Sequence, residues 1–272
     1  MSFKLAINGY GRIGQSVLRA LYSDPKFADL KIVAINELAD IETITYQTRY
    51  DTTHGRFPLA VNNDAHHLLI GDDAIRVLNE KDPRKLPWSA MDIDLVLECS
   101  GAFSDRENAE LHLKSGARRL LFSQPASTDV DATIVYGVNQ HLLKAQHQIV
   151  SNASCTTNCI VPVLHLLDQA FGIESGVTTT IHSAMNDQPV IDSYHHTNLR
   201  LARSALHSII PVDTGLDLGI DRLLPQLAGR FRCLHFRVPT INVSLMDLSI
   251  QVNKTADESQ INQLFRNAAN SG

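Results

Sequence analysis

The apolar run Lys4-Leu5-Ala6-Ile7-Asn8 ends directly in Gly9-Tyr10-Gly11-Arg12-Ile13-Gly14, and Ile13, Val17, Ala20 and Leu21 then recur on one helical face. A strand, a glycine loop and a helix in immediate succession is the opening of a βαβ unit, which commits the chain to a parallel sheet. Each glycine has a place in that turn. Gly9 allows the tight turn, Gly11 lets backbone approach a pyrophosphate, and Gly14 lets helix and strand pack closely. The helix start offers free N–H groups and the positive end of its dipole to phosphates. A second strand, Leu30–Ile35, closes in Asn36 and Glu37. Glu37 follows at roughly the 20-residue distance of the dinucleotide fingerprint. Its carboxylate would accept from the adenosine ribose hydroxyls and repel a 2′-phosphate, which favours NAD over NADP. An ordinary glycine turn in a parallel sheet would carry the same three glycines; the strand before, the helix after and the acid beyond are what point to a dinucleotide.

The pattern continues with strand-type runs at Asp94–Cys99, Arg119–Ser123 and Ala132–Tyr136, and with a helical stretch ending at Gly116, a C′ glycine. Alternating strands and helices predict an α/β fold with both faces of the sheet covered. From about residue 155 the texture changes. Ile160, Val163, Leu164, Leu167 and Phe171 make one helix face stopped by Gly172, followed by β-branched runs at Gly176–Ile181 and from Val238 to Val252. This half reads as a mixed α+β domain. The expected boundaries are 1–154 and 155–272. At 272 residues the chain has the length for two domains.

Charge and cysteine usage exclude several roles. A net charge of -5 argues against nonspecific nucleic-acid binding, which needs a basic surface. No apolar run approaches the ~18 residues of a membrane span, and no leader pattern opens the chain. Four cysteines are too few for a disulfide scaffold, so reduced thiols and a cytoplasmic location are expected.

Two of those cysteines lie in Ser151-Asn152-Ala153-Ser154-Cys155-Thr156-Thr157-Asn158-Cys159. A free thiol is only a few per cent ionised at neutral pH. Cys155 opens the helix that carries Val163 and Phe171, and the dipole there would lower its pKa. Ser154, Thr156 and Thr157 add small hydrogen-bonding groups around it. The CxxxC spacing suits neither a CxxC redox pair nor a zinc site, so no metal is expected. The stretch fits a nucleophile, Cys155, with Cys159 as a supporting residue; it fits two small buried cysteines equally. His182 ends a β-branched strand and is a candidate acid/base, although a surface histidine would fit the same pattern. The pairs His66-His67 and His195-His196 lack ligand spacing and read as solvated loop residues.

Together INGYGRIG, RYDTTHGRF, the Gly137–Asn139 GVN, SNASCTTNC, SIIPVDTG and FRVPTINVS resemble the glyceraldehyde-3-phosphate dehydrogenase family along the whole chain. Within it, INEL, FSQPAS, TTIHSAMNDQ and SIIPVDT are similar to the branch that oxidises erythrose 4-phosphate. The resemblance implies a Rossmann-type NAD-binding domain followed by a mixed α+β catalytic domain. It implies Cys155 as the nucleophile toward an aldehyde, forming a thiohemiacetal and then a thioester, with His182 as acid/base. The Cys155 N–H and the His182 ring would stabilise the oxyanion. Arg12 and Ile13 would hold the pyrophosphate and Glu37 the ribose, with Ser123 on the nicotinamide side. Lys81 stands where the family usually has an arginine near the cofactor. Ser154, Thr156, Thr214, Gly215 and Arg237 would bind substrate phosphate or a competing anion. In the erythrose branch water resolves the thioester, giving 4-phosphoerythronate for pyridoxal phosphate synthesis. The implied assembly is a homotetramer acting on a small sugar phosphate, in the cytoplasm.

Three departures from the family pattern stand out. Met185 replaces a threonine that helps bind phosphate in the glycolytic members, which suits the erythrose branch. Leu201 lies where a phosphate-binding arginine is usual, and leucine cannot make charge-assisted bonds to phosphate; Arg200 or Arg203 is the candidate substitute. The family continues past the position of Gly272 through further strands, an Asn-Glu-Trp segment and a final helix, so a C-terminally truncated catalytic domain with an exposed sheet edge and uncovered apolar surface is expected. A phosphate-dependent glyceraldehyde-3-phosphate dehydrogenase and an inactive NAD-binding fragment are the alternatives.

Overall fold

The computed structural model describes residues 2–195 and 198–270. His196, one of the histidines read above as a loop residue, and the chain end at Gly272 lie outside the described residues. The chain packs into two compact units. One comprises the chain up to Ile134 together with His141–Ser154; the other comprises Val135–Gln140 together with the chain from Cys155 onward.

In the first unit, strand β1 (Phe3–Asn8) leads through the glycine loop to helix α1 (Arg12–Ser23), and β2 (Leu30–Asn36) to α2 (Ile41–Arg49). Three strands follow, β3 (Val61–Asn63), β4 (His67–Ile70) and β5 (Asp73–Leu78). Then come β6 (Leu95–Glu98), α3 (Arg106–Lys114), β7 (Leu120–Phe122), β8 (Ala132–Thr133) and β9 (Ile149–Ser151). They form one sheet of order β8-β9-β7-β6-β1-β2-β5-β4-β3, parallel from β8 to β5 and antiparallel over the last two pairings. Successive residues of β1 enter opposite cores. Leu5 and Ile7 pack with Leu18, Ile35, Leu68 and Ile75, whereas Ala6 packs with Ala34, Trp88, Val96 and Phe122. Both faces are therefore covered, which is why the strand reads as a continuous apolar run.

Helix caps follow local chemistry. Asp40 accepts from the Thr43 N–H and Asp105 from the Asn108 N–H, both at helix starts. The helix ending near Ser115 stops at Gly116, whose φ of +106° is the left-handed conformation expected of a C′ glycine. The expected strand Ala132–Tyr136 is shorter than its β-branched run suggests. The Ile134 N–H still reaches the Ser151 carbonyl, but the Asn139 side chain then captures the Val135 N–H and turns the chain. His67, read as a loop residue, instead starts β4, with its Nδ1 3.0 Å from Asp64.

The second unit has a four-stranded sheet on helices. Helix α4 (Cys155–Phe171) precedes β10 (Ile173–Ser183); β11 (Ile210–Pro211), α5 (Leu216–Leu223), β12 (Phe231–Val238), β13 (Ser244–Val252) and α6 (Glu258–Asn270) follow. The order is β11-β12-β10-β13, with β10 and β12 parallel and the other pairs antiparallel. The run from Val238 to Val252 is not one strand. The Thr240 N–H bonds the Val238 carbonyl, and Val243 takes a positive φ of 62°, so the chain reverses before β13.

Burial alternates along β10. Thr178, Thr180 and His182 are buried, whereas Val177 and Ile181 are exposed, as are Leu234 and Leu245 on the flanking strands. Helix α4 buries Ile160, Val161, Leu164 and Leu167 and contains Pro162 in its interior. Val163, assigned to the buried stripe by spacing, is half-buried, and Val161 takes its place in the core. Truncating Leu164 to Ala should cost about 2–5 kcal/mol and lower the urea midpoint of unfolding. An unchanged midpoint would mean α4 is not anchored by this face.

Candidate functional site

The cleft of the first unit lies outside the carboxyl ends of β1, β2 and β6, where the strand order leaves β1 in both directions. It measures about 380 Å3 and is lined by Asn8, Gly9, Gly11, Glu37, Lys81 and Ser100, among others. Gly9 has φ +88°, and a Cβ there would stand 2.3 Å from the Ser100 Cα. A Cβ on Gly14 would stand 2.4 Å from the Gly9 carbonyl oxygen. A Cβ on Gly11 would meet nothing within 4 Å, so the space beside that residue is open. Gly9 and Gly14 thus permit close backbone contact, and the space beside Gly11 is open.

Helix α1 starts at Arg12 with no side-chain cap on its N-terminus. Anion binding at the backbone N–H groups of Arg12 and Ile13 remains chemically available. The Arg12 side chain is paired with Asp51, and this bond is the first cause holding the Asp51 carboxyl well below the usual range. Glu37 accepts the Tyr10 N–H at 2.7 Å and the Leu38 N–H at 2.6 Å. A carboxylate has about four acceptor positions, so capacity remains for ribose hydroxyls.

Beneath the cleft runs a buried polar chain. Asn36 Nδ2 donates to Asn8 Oδ1 at 2.7 Å, and Asn8 Nδ2 donates to Glu98 at 2.6 Å. Glu98 is fully buried and also accepts the Ser100 N–H at 2.8 Å. These bonds tie together the ends of β1, β2 and β6. Ser123 follows β7, with its N–H on the Glu98 carbonyl and its side chain bonded to the buried Cys99 thiol. Burial pushes that thiol up to about 12, so Cys99 stays protonated.

In the second unit Cys155 is the first residue of α4 and is exposed, and its Sγ lies 3.6 Å from His182 Nε2. His182 is buried at the end of β10, with Nδ1 2.8 Å from the Ser183 carbonyl oxygen. A carbonyl only accepts, so Nδ1 carries the proton and Nε2 turns its lone pair to the thiol. The contact with His182 is the first cause drawing the Cys155 thiol below its ordinary value, against the opposing effect of burial. The same contact raises His182. The residue pattern offered the helix dipole and the family resemblance offered His182; the histidine contact comes first among the causes.

Parallel pairing sets Arg237 beside His182, and Arg237 is buried with Nη1 3.4 Å from Asp187. Its Nε is buried without a partner among the described residues. Thr214 Oγ1 accepts the Leu216 N–H at 3.2 Å, and Gly215 is the N-cap of α5 with open space where a Cβ would stand. Thr156 is half-buried on the first turn of α4, directly after Cys155, and Ser154 directly precedes it. Arg200 is exposed in a short 3-10 turn, Leu199–Ala202, whereas Arg203 is paired with Asp192 at 2.5 Å. Met185 is exposed after β10.

Residues 3–106 match the NAD-binding domain of glyceraldehyde 3-phosphate dehydrogenase, and residues 154–272 match that family's C-terminal domain. The chain belongs to the glyceraldehyde 3-phosphate dehydrogenase family. It is thus built as a Rossmann-type NAD-binding domain followed by the family's C-terminal domain, and its cofactor is NAD. The uncapped helix start, the open space at Gly11 and the placed Glu37 carboxylate fit that cofactor. Family membership implies NAD-dependent oxidoreductase chemistry on small sugar phosphates.

Residue patterns had not marked Asn8, Asn36 and Glu98 beneath the cleft, nor Asp187 beside Arg237. The asparagines end apolar strands, where a polar residue inside a parallel sheet is the only signal available. No described helix is long and apolar enough to cross a membrane.

The direction of the two shifts sets the pH behaviour. Cys155 is lowered and His182 raised, each chiefly by its contact with the other, so the pair favours thiolate beside imidazolium more than either group would alone. Iodoacetamide should therefore alkylate Cys155 at pH values below those at which an ordinary thiol near 8.5 reacts. Reactivity falls as pH drops through the folded Cys155 pKa. His182→Asn should move the alkylation midpoint up by about one pH unit or more. A midpoint unmoved by that change would contradict the assignment of His182 as the cause.

Proposed function

We propose that this protein oxidises erythrose 4-phosphate to 4-phosphoerythronate with NAD, through a covalent intermediate on Cys155. The observation that carries the reading is the 3.6 Å contact between Cys155 Sγ and His182 Nε2, with the histidine tautomer fixed by Ser183. His182 Nε2 takes the thiol proton. The thiolate attacks the aldehyde carbon, and the C=O electron pair moves to oxygen, where the Cys155 N–H and the His182 Nε2–H stabilise the charge. His182 gives its proton to that oxygen, and the resulting thiohemiacetal returns its hydroxyl proton to His182 as it is oxidised to the thioester. NAD, when bound, supplies the hydride acceptor for that oxidation. His182 releases the proton to solvent; water then attacks the thioester with His182 as base, the C–S bond breaks, His182 returns the proton to the Cys155 sulfur, and the acid leaves.

In the same reading the backbone N–H groups of Arg12 and Ile13 hold the pyrophosphate, Glu37 the ribose, and Lys81 and Ser123 lie along the cofactor. Ser154, Thr156, Arg200, Thr214, Gly215 and Arg237 hold the phosphate or a competing anion. The unpartnered, buried Nε of Arg237 supports an anion there. Arg200 rather than Arg203 stands in for the arginine absent at Leu201, because Arg203 is already paired with Asp192. An exposed apolar side chain at Met185, in place of a phosphate-binding hydroxyl, supports the erythrose substrate. We extend the proposal to pyridoxal phosphate synthesis as the use of the product, and to the cytoplasm, where four free cysteines would stay reduced. It also includes a homotetramer, in which a second copy covers the exposed Val177, Ile181, Leu234 and Leu245.

The buried arginine also favours a second reading, a glyceraldehyde-3-phosphate dehydrogenase in which inorganic phosphate rather than water resolves the thioester. The two separate in one assay. NADH formation is followed with erythrose 4-phosphate and with glyceraldehyde 3-phosphate, each with and without phosphate, beside Cys155→Ser. The expected outcome is phosphate-independent turnover of the tetrose, reduced by at least about 10^3-fold in Cys155→Ser. Turnover confined to the triose and dependent on phosphate would select the second reading. Binding of NAD with no turnover of either sugar would mean a nucleotide-binding fragment.

A further inference from the structure

His235 is a histidine that the proposed mechanism does not use. It lies on β12, where it pairs with Thr180 of β10, one pleat before the pairing of Arg237 with His182. Its ring packs against the ring of His182, with centroids 5.2 Å apart and planes 27° from parallel. The side chain is half-buried, and its Nε2 is buried without a partner among the described residues.

We propose that His235 is a positioning residue for His182, holding the catalytic ring in plane and supporting its cationic form through the stacked face. The inference rests on the assignment of Cys155 and His182 as the catalytic pair. The contacts of Nδ1 with the Ser183 carbonyl and of Nε2 with Cys155 Sγ hold two atoms in the plane of the His182 ring. They leave the ring free to tilt about the line through those atoms, and a ring against one face removes this freedom. Offset stacking at 4.5–7 Å is the favoured geometry for such rings. Once His182 has taken the Cys155 proton, a neutral aromatic face within about 6 Å stabilises the cation.

The surroundings keep His235 neutral for this task. Burial is the first cause, and the charge of Arg237 and the proximity of His182 act in the same direction, so its pKa falls to about 4, with Asp187 opposing. The titratable and charged groups around the pair are Cys155 from α4, Arg237 from β12 and Asp187 from the segment after β10. Arg237 disfavours a charged His182. The stacked neutral ring offsets that repulsion where a second charged residue would add to it.

The test compares His235→Phe with His235→Leu in the full chain, reading the pH profile of Cys155 alkylation by iodoacetamide. Phe keeps an aromatic face; Leu keeps apolar volume without one. His235→Phe should retain the wild-type midpoint. His235→Leu should move it up by roughly half a pH unit, about a threefold loss of thiolate below the midpoint. Thermal melts run beside both variants, since a purely packing role would lower Tm without moving the midpoint. Equal midpoints in wild type and His235→Leu would overturn the proposal. If the wild-type thiol itself alkylated like a free cysteine, the catalytic pair would fail first, which separates the two failures. Should the Leu variant not fold, His235→Phe still decides: a shifted midpoint in that variant contradicts a role carried by the aromatic face.

Discussion

The bond between His182 Nδ1 and the Ser183 carbonyl is a single 2.8 Å contact, yet the chemistry of the second unit hangs on it. It decides which ring nitrogen carries hydrogen, and so whether Cys155 meets an acceptor or a competing donor. The bond exists because β10 runs to Ser183 with burial alternating from Val177 onward, which turns His182 to the buried face and leaves the next carbonyl beside its ring. Helix α4 packs its apolar stripe under the same unit and starts at Cys155. A one-residue slip of β10 would reverse every side chain on it and part the pair. Register, burial and tautomer are therefore one constraint seen at three scales.

The first unit is governed by close backbone approach. Gly9 sits against Ser100 and Gly14 against the Gly9 carbonyl, distances no residue with a Cβ could keep. That approach brings the ends of β1 and β6 together, and the Asn36–Asn8–Glu98–Ser100 chain then fills the hydrogen-bonding needs of the buried strand ends. A fully buried Glu98 is stable there because its oxygens accept from an amide side chain and a backbone N–H rather than facing apolar neighbours. Those bonds tie the strand ends together under the cleft, while the space beside Gly11 at the helix start is open.

Much of this was legible in the residues. The glycine loop, its flanking strand and helix, and Glu37 announced the nucleotide site because each glycine answers a local steric demand. Gly116 and Gly172 marked helix ends by the same logic, both with positive φ. Cys155 and His182 were legible as candidates from the residues, and their partnership followed from the family resemblance rather than from any local pattern. They are separated by a helix and most of a strand, and only the packing of α4 on the sheet brings Sγ to Nε2. The helix dipole is the local property that spacing offers; the histidine contact is a tertiary one. His235 was hidden for a further reason: its meaning depends on the pairing of β12 with β10, and twelve histidines in the sequence give no one of them distinction. The strand expected through Tyr136 failed because a side-chain amide at Asn139 outcompeted the ladder for the Val135 N–H.

The claim that the reaction passes through a covalent bond to Cys155 can be tested at the atom concerned. The protein is mixed with NAD and erythrose 4-phosphate, quenched in acid during turnover, and the peptide carrying Cys155 is weighed by mass spectrometry. The account predicts an acyl group derived from the sugar phosphate on Cys155. NADH formation with an unmodified Cys155, or with the acyl group on another residue, would contradict it.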